Sequence, residues 1–275
     1  MMMTTVEKDK LIIAIKGAGE MASAIAFRLH QARMGRLFMM EVSKPLAVRR
    51  GVSFCEALWD GKKEVEGVTA YEAGSADQFN GIWDKGGIAV ICDPEWQAIR
   101  STRPNVLIDA ILAKKNLGTH HTDAPLVIGI GPGFHAGKDV HLVVESNRGH
   151  HLGRIVRSGR AEENTGIPGN IAGFTTQRVL RAPEAGIFLT ETHIGHLVKA
   201  GAAVGTIGDK AVVAQIDGVI RGLIRNGTPV KEGVKLGDID PRGETSYCYT
   251  ISDKARAIAG SVLEAILNEF PPFGE

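Results

Sequence analysis

Between Gly17 and Glu41 the chain carries residues whose types and spacing could hold a phosphorylated ligand. Gly17-Ala18-Gly19-Glu20-Met21-Ala22 fits the G-x-G-x-x-G/A pattern, and an acid, Glu41, stands 22 residues after Gly19. Each position has a physical reason. Gly17 permits a tight turn. Gly19 has no Cβ, so a phosphate can approach the main chain. Ala22 lets a helix pack closely on a sheet. The helix beginning there offers N–H groups and a positive dipole end to a pyrophosphate. Glu41 could bind a ribose 2′-hydroxyl, which favours NAD over NADP. Lys44, Arg49 and Arg50 lie just beyond it and could hold a phosphate instead, Arg49 being the candidate to neutralise one. Glu20 would repel a phosphate unless it turns away or contacts another part of the ligand. The same glycines would also suit a βαβ unit in which they serve only packing.

Further candidates end other apolar runs. Asp109 lies near the end of the expected strand Val106–Ile111, and Gly131-Pro132-Gly133 leaves the run that ends at Ile130. In an open α/β sheet ligands gather at the carboxyl ends of the strands, so Gly17–Ala22, Asp109, Gly131 and Gly133 are expected around one cleft. The second glycine motif would equally suit a plain turn. Asp109 and His135 are the acid/base candidates should the chain be an NAD(P)-dependent reductase, the alternative reading of the motif. His193-x-x-His196 is the one histidine pair with metal-like spacing. It lacks the glutamate of a metalloprotease helix, so no metal is expected.

The elements that must position these residues are legible as apolar runs. Leu11–Ile15, a helix over Ser23–Arg33, and Leu37–Met40 ending on Glu41 give strand, glycine turn, helix, strand, acid. Strands are expected at Ile88–Asp93, Val106–Ile111, Leu126–Ile130 and Val140–Glu145, with a helix over Glu95–Thr102. Continuous apolar runs without alternation suit strands buried on both faces. The fold class is therefore α/β: a Rossmann-like, doubly wound, mostly parallel sheet over residues 8–183. Its last part, Gly153–Pro183, is polar and glycine-rich, and reads as a boundary with some helix over Ala172–Leu180.

From Gly186 the pattern changes. Asp217-Gly218 and Asn226-Gly227 between short apolar runs are hairpin signals, and turns recur about every ten residues. Residues 184–250 are thus expected to form a small all-β module resembling a biotinyl/lipoyl-type barrel-sandwich hybrid. Carriers of that fold present a modified lysine on a hairpin tip. Lys210 lies only seven residues before Asp217 and lacks flanking methionines, so no biotin or lipoyl group is expected on it. The module reads as serving docking or oligomerisation, which would make the chain a homo-oligomer. Residues 251–270 read as a helix with Ser252 as its N-cap, packing back on the first domain.

Composition excludes some classes. A net charge of +1 gives no global pull toward nucleic acid or membrane, and 5% aromatics make a poor stacking platform for single strands. Cys55, Cys92 and Cys248 lie far apart with no C-x-x-C. Cys92, in an apolar run, reads as a buried small hydrophobe. The polar stretch Met1–Lys10 lacks the apolar core of a secretory signal, and no run approaches a membrane span. A cytoplasmic protein is expected.

Taken in order, these motifs resemble the YqeB family, accessory proteins of the selenium-dependent molybdenum hydroxylase system. The matching stretches are Gly17–Ala22, Glu41–Arg50, Asn116–Phe134, Val140–Gly153 and Ile216–Gly243, the last ending Gly237-Asp238-Ile239-Asp240-Pro241-Arg242-Gly243. The resemblance implies a role in maturing molybdenum hydroxylases such as xanthine dehydrogenase. It also implies an N-terminal half similar to the Rossmann part of XdhC-type chaperones, which handle molybdenum cofactor. The implied ligand is a molybdopterin dinucleotide or NAD(P), and the implied partner a molybdenum hydroxylase. No catalytic residues follow from it, and the chain lacks the paired cysteines of some XdhC relatives.

Overall fold

The computed structural model describes residues 10–271, so the reading of Met1–Lys10 falls, except for Lys10, outside the described residues. The chain forms two compact units. One comprises residues 10–45, 53–164 and 251–271; the other comprises 46–52 and 165–250. The division thus falls at 164/165 rather than 183/184, and the short segment 46–52 groups with the later residues.

The first unit is built on a nine-stranded sheet of β1 (Ile12–Lys16), β2 (Arg36–Glu41), β3 (Lys62–Val65), β4 (Val68–Ala73), β5 (Ile88–Cys92), β6 (Val106–Asp109), β7 (Leu126–Ile130), β8 (Leu142–Val144) and β9 (Ile155–Val156). Their order across the sheet is β3-β4-β5-β2-β1-β6-β7-β8-β9. Seven neighbouring strands from β4 to β8 run parallel, while β3 and β9 pair antiparallel at the two ends. The central runs are apolar because both faces are covered. Ala14, Phe38, Leu107, Val127 and Val143 face one core with Phe79 and Ala98. Ile13, Ile15, Leu37, Met39, Ile108 and Ile128 alternate with them and are fully buried.

Of the helices, α1 (Glu20–Gln31) leaves Gly19 after β1, and the short α2 (Ala57–Asp60), α3 (Phe79–Trp83) and α4 (Gln97–Thr102) follow. The last, α5 (Asp253–Glu269), begins where Ser252 accepts the Ala255 N–H with its side chain, a Ser N-cap. It packs against α1, and Ala255, Ile258, Ala259, Val262, Ala265 and Ile266 are its buried face. Truncating Ile258 would remove a fully buried side chain and cost about 2–5 kcal/mol.

The second unit holds two four-stranded antiparallel sheets. β10 (Val179–Arg181), β17 (Lys235–Asp240), β15 (Gly218–Leu223) and β12 (Leu197–Val198) make one. β14 (Lys210–Val213), β13 (Ala203–Ile207), β11 (Gly186–Leu189) and β16 (Thr228–Val230) make the other. Leu180, Phe188, Val204, Ile220, Leu236 and Ile239 are among the residues of its core.

This corrects the expected fold class. The first unit is one large mixed sheet, not a doubly wound Rossmann-like sheet. The β6–β7 crossover carries only a 3₁₀ turn, His121–Asp123, no helix joins β7 to β8, and both edges reverse direction. Apolar runs report burial, and burial is silent about what spans the crossovers. The second unit is two antiparallel sheets, not a barrel-sandwich hybrid. Sequence turns locate hairpins but not which strands pair, and β10, from the supposed linker, joins β17. No helix spans Ala172–Leu180; a 3₁₀ turn over Thr176–Arg178 leads into β10. Lys210 pairs with Glu184 at 2.9 Å.

Candidate functional site

The carboxyl ends of β1, β6, β7 and β8 form one edge of the first unit, and most of the predicted residues lie along it. At the end of β1, Gly17 has φ +88, and a Cβ there would press on the Ala110 carbonyl at 3.3 Å. Its N–H donates to the Met40 oxygen at 2.8 Å. The chain then turns so that Ala18 N–H donates to Glu41 Oε2 at 2.9 Å, while Val42 N–H donates to Glu41 Oε1 at 2.9 Å. Both oxygens of Glu41 therefore hold main chain, and its carboxylate closes the glycine turn. Ser23 locks the next turn, donating to the Ala18 oxygen at 3.0 Å and accepting from Phe54 N–H at 2.7 Å.

Gly19 differs. It is the N-cap of α1, extended at φ −74 and ψ −172, with no side-chain cap, and a Cβ built on it meets nothing within 4 Å. Met21 and Ala22 point into the core. Glu20 turns toward α5, where Ser252 donates to its Oε1 at 2.9 Å. The two helix N-termini, both positive dipole ends, thus meet at this carboxylate. Lys254 stands in the first turn of α5, where the dipole disfavours a cation. Burial and the nearby Arg148 lower its pKa below the ordinary lysine value, against the opposing charges of Glu20, Glu145 and Asp253. No acid among the described residues lies within ion-pair distance of its ammonium. Arg148 is held by Asp253 at 2.7 and 2.9 Å.

On the other face of the same strand ends lies a buried polar chain. Lys16, 1% exposed, donates from Nζ to Thr119 Oγ1 at 2.8 Å, and the Thr119 hydroxyl donates to Asp109 Oδ2 at 2.7 Å. Lys16 and Asp109 are register partners in β1 and β6, which puts both side chains on one face. Asp109 Oδ1 accepts from Ile111 N–H at 3.2 Å, Asp123 stands 4.0 Å from the ammonium, and the Trp96 ring covers it at 5.1 Å. Burial pulls Lys16 below the usual lysine range, against Asp109 and Asp123. It pushes Asp109 above the usual carboxylate range, against the hydrogen bonds from Thr119 and Ile111 and the charge of Lys16. Oppositely displaced groups bridged by a hydroxyl can keep or pass a proton between them.

Strained backbone surrounds this chain. Trp96, Leu112 and Lys114 take left-handed conformations at φ 57, 61 and 63. Gly131 and Gly133, at φ +78 and +113, complete the edge. A Cβ on Gly131 would collide with Ser146 Oγ, and one on Gly133 would lie 2.7 Å from Lys115 N. Both glycines are therefore needed for close approach to the 111–119 loop and the end of β8.

Gly17–Ala22, Glu41, Asp109, Gly131 and Gly133 thus share an edge, and Lys16, Thr119 and Lys254 join them unforeseen. The one sequence signal for Lys16 was a lysine closing a strand buried on both faces. Arg49 belongs to the second unit, where it is 5% exposed and donates to the carbonyls of Tyr247 and Thr250 at 2.9 and 3.0 Å. His135 is tied into its own turn through the Ala136 carbonyl at 2.9 Å. Cys92 is exposed at the end of β5, beside Glu41, rather than buried. Among the described residues no group of three or more His, Cys, Asp or Glu is placed to hold a metal, and no helix is long and apolar enough to cross a membrane.

No protein-family model matches the chain. Parts of it align with solved structures of low similarity. A succinylglutamate desuccinylase/aspartoacylase of Rhodobacter sphaeroides is 16% identical, over 32% of this chain and 30% of that one, at a TM-score of 0.21. An aspartoacylase family protein of Mesorhizobium loti is 13% identical, over 52% and 60%, at 0.24. The apo ectoine utilization protein EutE (DoeB) of Ruegeria pomeroyi is 11% identical, over 83% and 85%, at 0.25. In sequence the chain is 48% identical over 256 residues to the uncharacterized protein YqeB of Escherichia coli K12, a match covering 93% of this chain. The chain spans about half the length of that relative, 47% of it. This identity, spread over nearly the whole chain, supports the YqeB family name.

Proposed function

We propose that the chain is an accessory protein of a molybdenum hydroxylase and binds a ligand of the molybdopterin dinucleotide class at the first turn of α1. The observation that carries this reading is Gly19. It caps a twelve-residue helix without a side chain and leaves open space where a Cβ would stand. Anions are stabilised at such ends by unsatisfied N–H groups and the helix dipole. Lys254, beside Glu20, supplies a cation that the helix it starts does not favour. Glu20, drawn onto Ser252, is turned to α5 rather than left to repel the phosphates. The hydroxylase and its selenium dependence come from the YqeB resemblance.

Isothermal titration with molybdopterin cytosine dinucleotide tests the reading, with inorganic pyrophosphate, NAD and NADP as comparison ligands. Binding of the molybdopterin dinucleotide that weakens in Lys254→Met supports it. No binding of any of them at millimolar ligand removes it.

A further inference from the structure

We propose that His193 and His196 chelate a divalent transition-metal ion, of the zinc or copper class, in the second unit. The two imidazoles are exposed, and their ring centroids lie 5.3 Å apart at an interplanar angle of 78°. Neither ring has a hydrogen-bond partner among the described residues, so no protein group competes for their nitrogens.

Their separation fits a shared ion. With metal–nitrogen bonds of about 2.0–2.1 Å and a nitrogen about 1.2 Å from its ring centre, each centroid stands about 3.2–3.3 Å from the ion. With one nitrogen of each ring on a common ion, a separation of 5.3 Å subtends an angle of about 107–112° at the metal, close to the tetrahedral value that zinc prefers.

The turn carrying both residues is held in place before any ion arrives. His196 N–H donates to the His193 oxygen at 3.2 Å, Gly195 N–H to the Ile220 oxygen at 2.8 Å, and Ile220 N–H to the His196 oxygen at 2.8 Å. Tyr249 donates its hydroxyl to the Ile194 oxygen at 3.0 Å. Gly195, at φ +95, has the Tyr249 hydroxyl where a Cβ would be, at 2.9 Å. The ordering of the main chain, a principal cost of chelation, is thus already met by the fold.

Two protein ligands leave the other positions of a four-coordinate ion open, the arrangement of a site that takes water or an exchangeable ligand. Space for one exists nearby: Glu191 and Thr192, directly before His193, line an open cavity of about 520 Å³. The adjacent pair His150 and His151 has a similar ring separation, 5.2 Å, but is flanked in sequence by the cations Arg148 and Arg154.

Titration calorimetry of the untagged full chain with zinc chloride and copper chloride tests the site, with His193→Gln, His196→Gln and a His150→Gln/His151→Gln control. Circular dichroism of each variant establishes that it folds, and both histidines are exposed. The expected result is one equivalent of metal, bound more tightly for copper than for zinc, that weakens about tenfold or more in either single variant and is unchanged in the control. The proposal is overturned if the wild type takes up no metal, if either single variant binds as the wild type does, or if the control alone removes the site.

Discussion

Replacing Gly19 by serine separates ligand binding from folding by moving them in opposite directions. The backbone at Gly19 is in the extended region open to any residue, and a Cβ there meets nothing within 4 Å. Serine is a favoured N-cap whose hydroxyl accepts a first-turn N–H, here that of Met21 or Ala22. Glycine at an N-cap trails serine by only a few tenths of a kcal/mol, so Gly19→Ser is expected to raise stability by about that amount. In a chain of this size the thermal midpoint then rises by about 1 °C. The same hydroxyl occupies the N–H that a phosphate needs. One charge-assisted hydrogen bond contributes about 1.5–3 kcal/mol, which corresponds to a loss of affinity of about 10- to 150-fold. Thermal unfolding by circular dichroism and titration with molybdopterin cytosine dinucleotide read the two quantities on the same samples. A variant that gains stability and keeps full affinity refutes the placement of the phosphates on α1. A variant that unfolds well below the wild type refutes the argument that the Gly19 site is open.

The buried chain beneath the same edge gives two contrasting expectations. Thr119→Val strands both Lys16 and Asp109 and is expected to cost about 2–5 kcal/mol in urea unfolding. Lys16→Met leaves Thr119 on Asp109 and stays within about 1 kcal/mol; equal losses from both would show that Thr119 is no bridge. The pH dependence follows from the directions of the shifts. Lys16 is lowered from 10.5, so between its folded value and 10.5 the unfolded chain holds more protons, and stability rises with pH up to 10.5. Asp109 is raised from 3.8, so the folded chain holds the extra proton above that pH, and stability falls as pH climbs from 3.8 through the folded value. Lys16→Met should flatten the alkaline limb and Asp109→Asn the acid one, as followed by denaturation midpoints across pH. In the second unit Asp238 is 1% exposed and is held by Arg178 and Arg221. Burial raises its pKa, but Lys235, Arg221 and Arg178 outweigh it, so it ends below the usual value. Its stabilisation is present above pH 3.8 and lost on acidification. Asp238→Asn removes the acid that Arg178 and Arg221 share, although Arg221 keeps Asp240 at 3.2 Å, and is expected to cost about 3–5 kcal/mol at neutral pH, a loss that calorimetric unfolding would register; no loss would mean that the pairs contribute little.

Local elements were legible where chemistry and periodicity agree. The runs around Ile12, Leu37, Ile88, Val106 and Leu126 are strands, and Ser252 caps the last helix. What spacing did not disclose is pairing. The reversed edges are brief: β3 is the largely charged run Lys62–Val65, and β9 is only the two half-buried residues Ile155–Val156, too short to set a pattern. Segment 46–52 joins the second unit through contacts that skip most of the chain: Arg50 to the Leu223 oxygen at 2.7 Å, and Gly51 with no room for a Cβ beside the Cys248 oxygen. The same holds for the site. The glycine turn was readable because its residues are consecutive. Lys16 and Thr119 are 103 residues apart; the parallel register of β1 and β6 pairs Lys16 with Asp109, and the chain after β6 returns Thr119 to both. Glu41 was expected at the right place, but that its oxygens close the turn on Ala18 and Val42 depends on a side-chain conformation no spacing encodes.

The central claim, that the open first turn of α1 is where the ligand's phosphates bind, is tested most directly by titrating molybdopterin cytosine dinucleotide into ¹⁵N-labelled protein and following the backbone amides. The largest shifts are expected at Gly19, Glu20 and Met21, with smaller ones at Ser252–Lys254. Saturable shifts confined to other residues, with those amides unmoved, would contradict it.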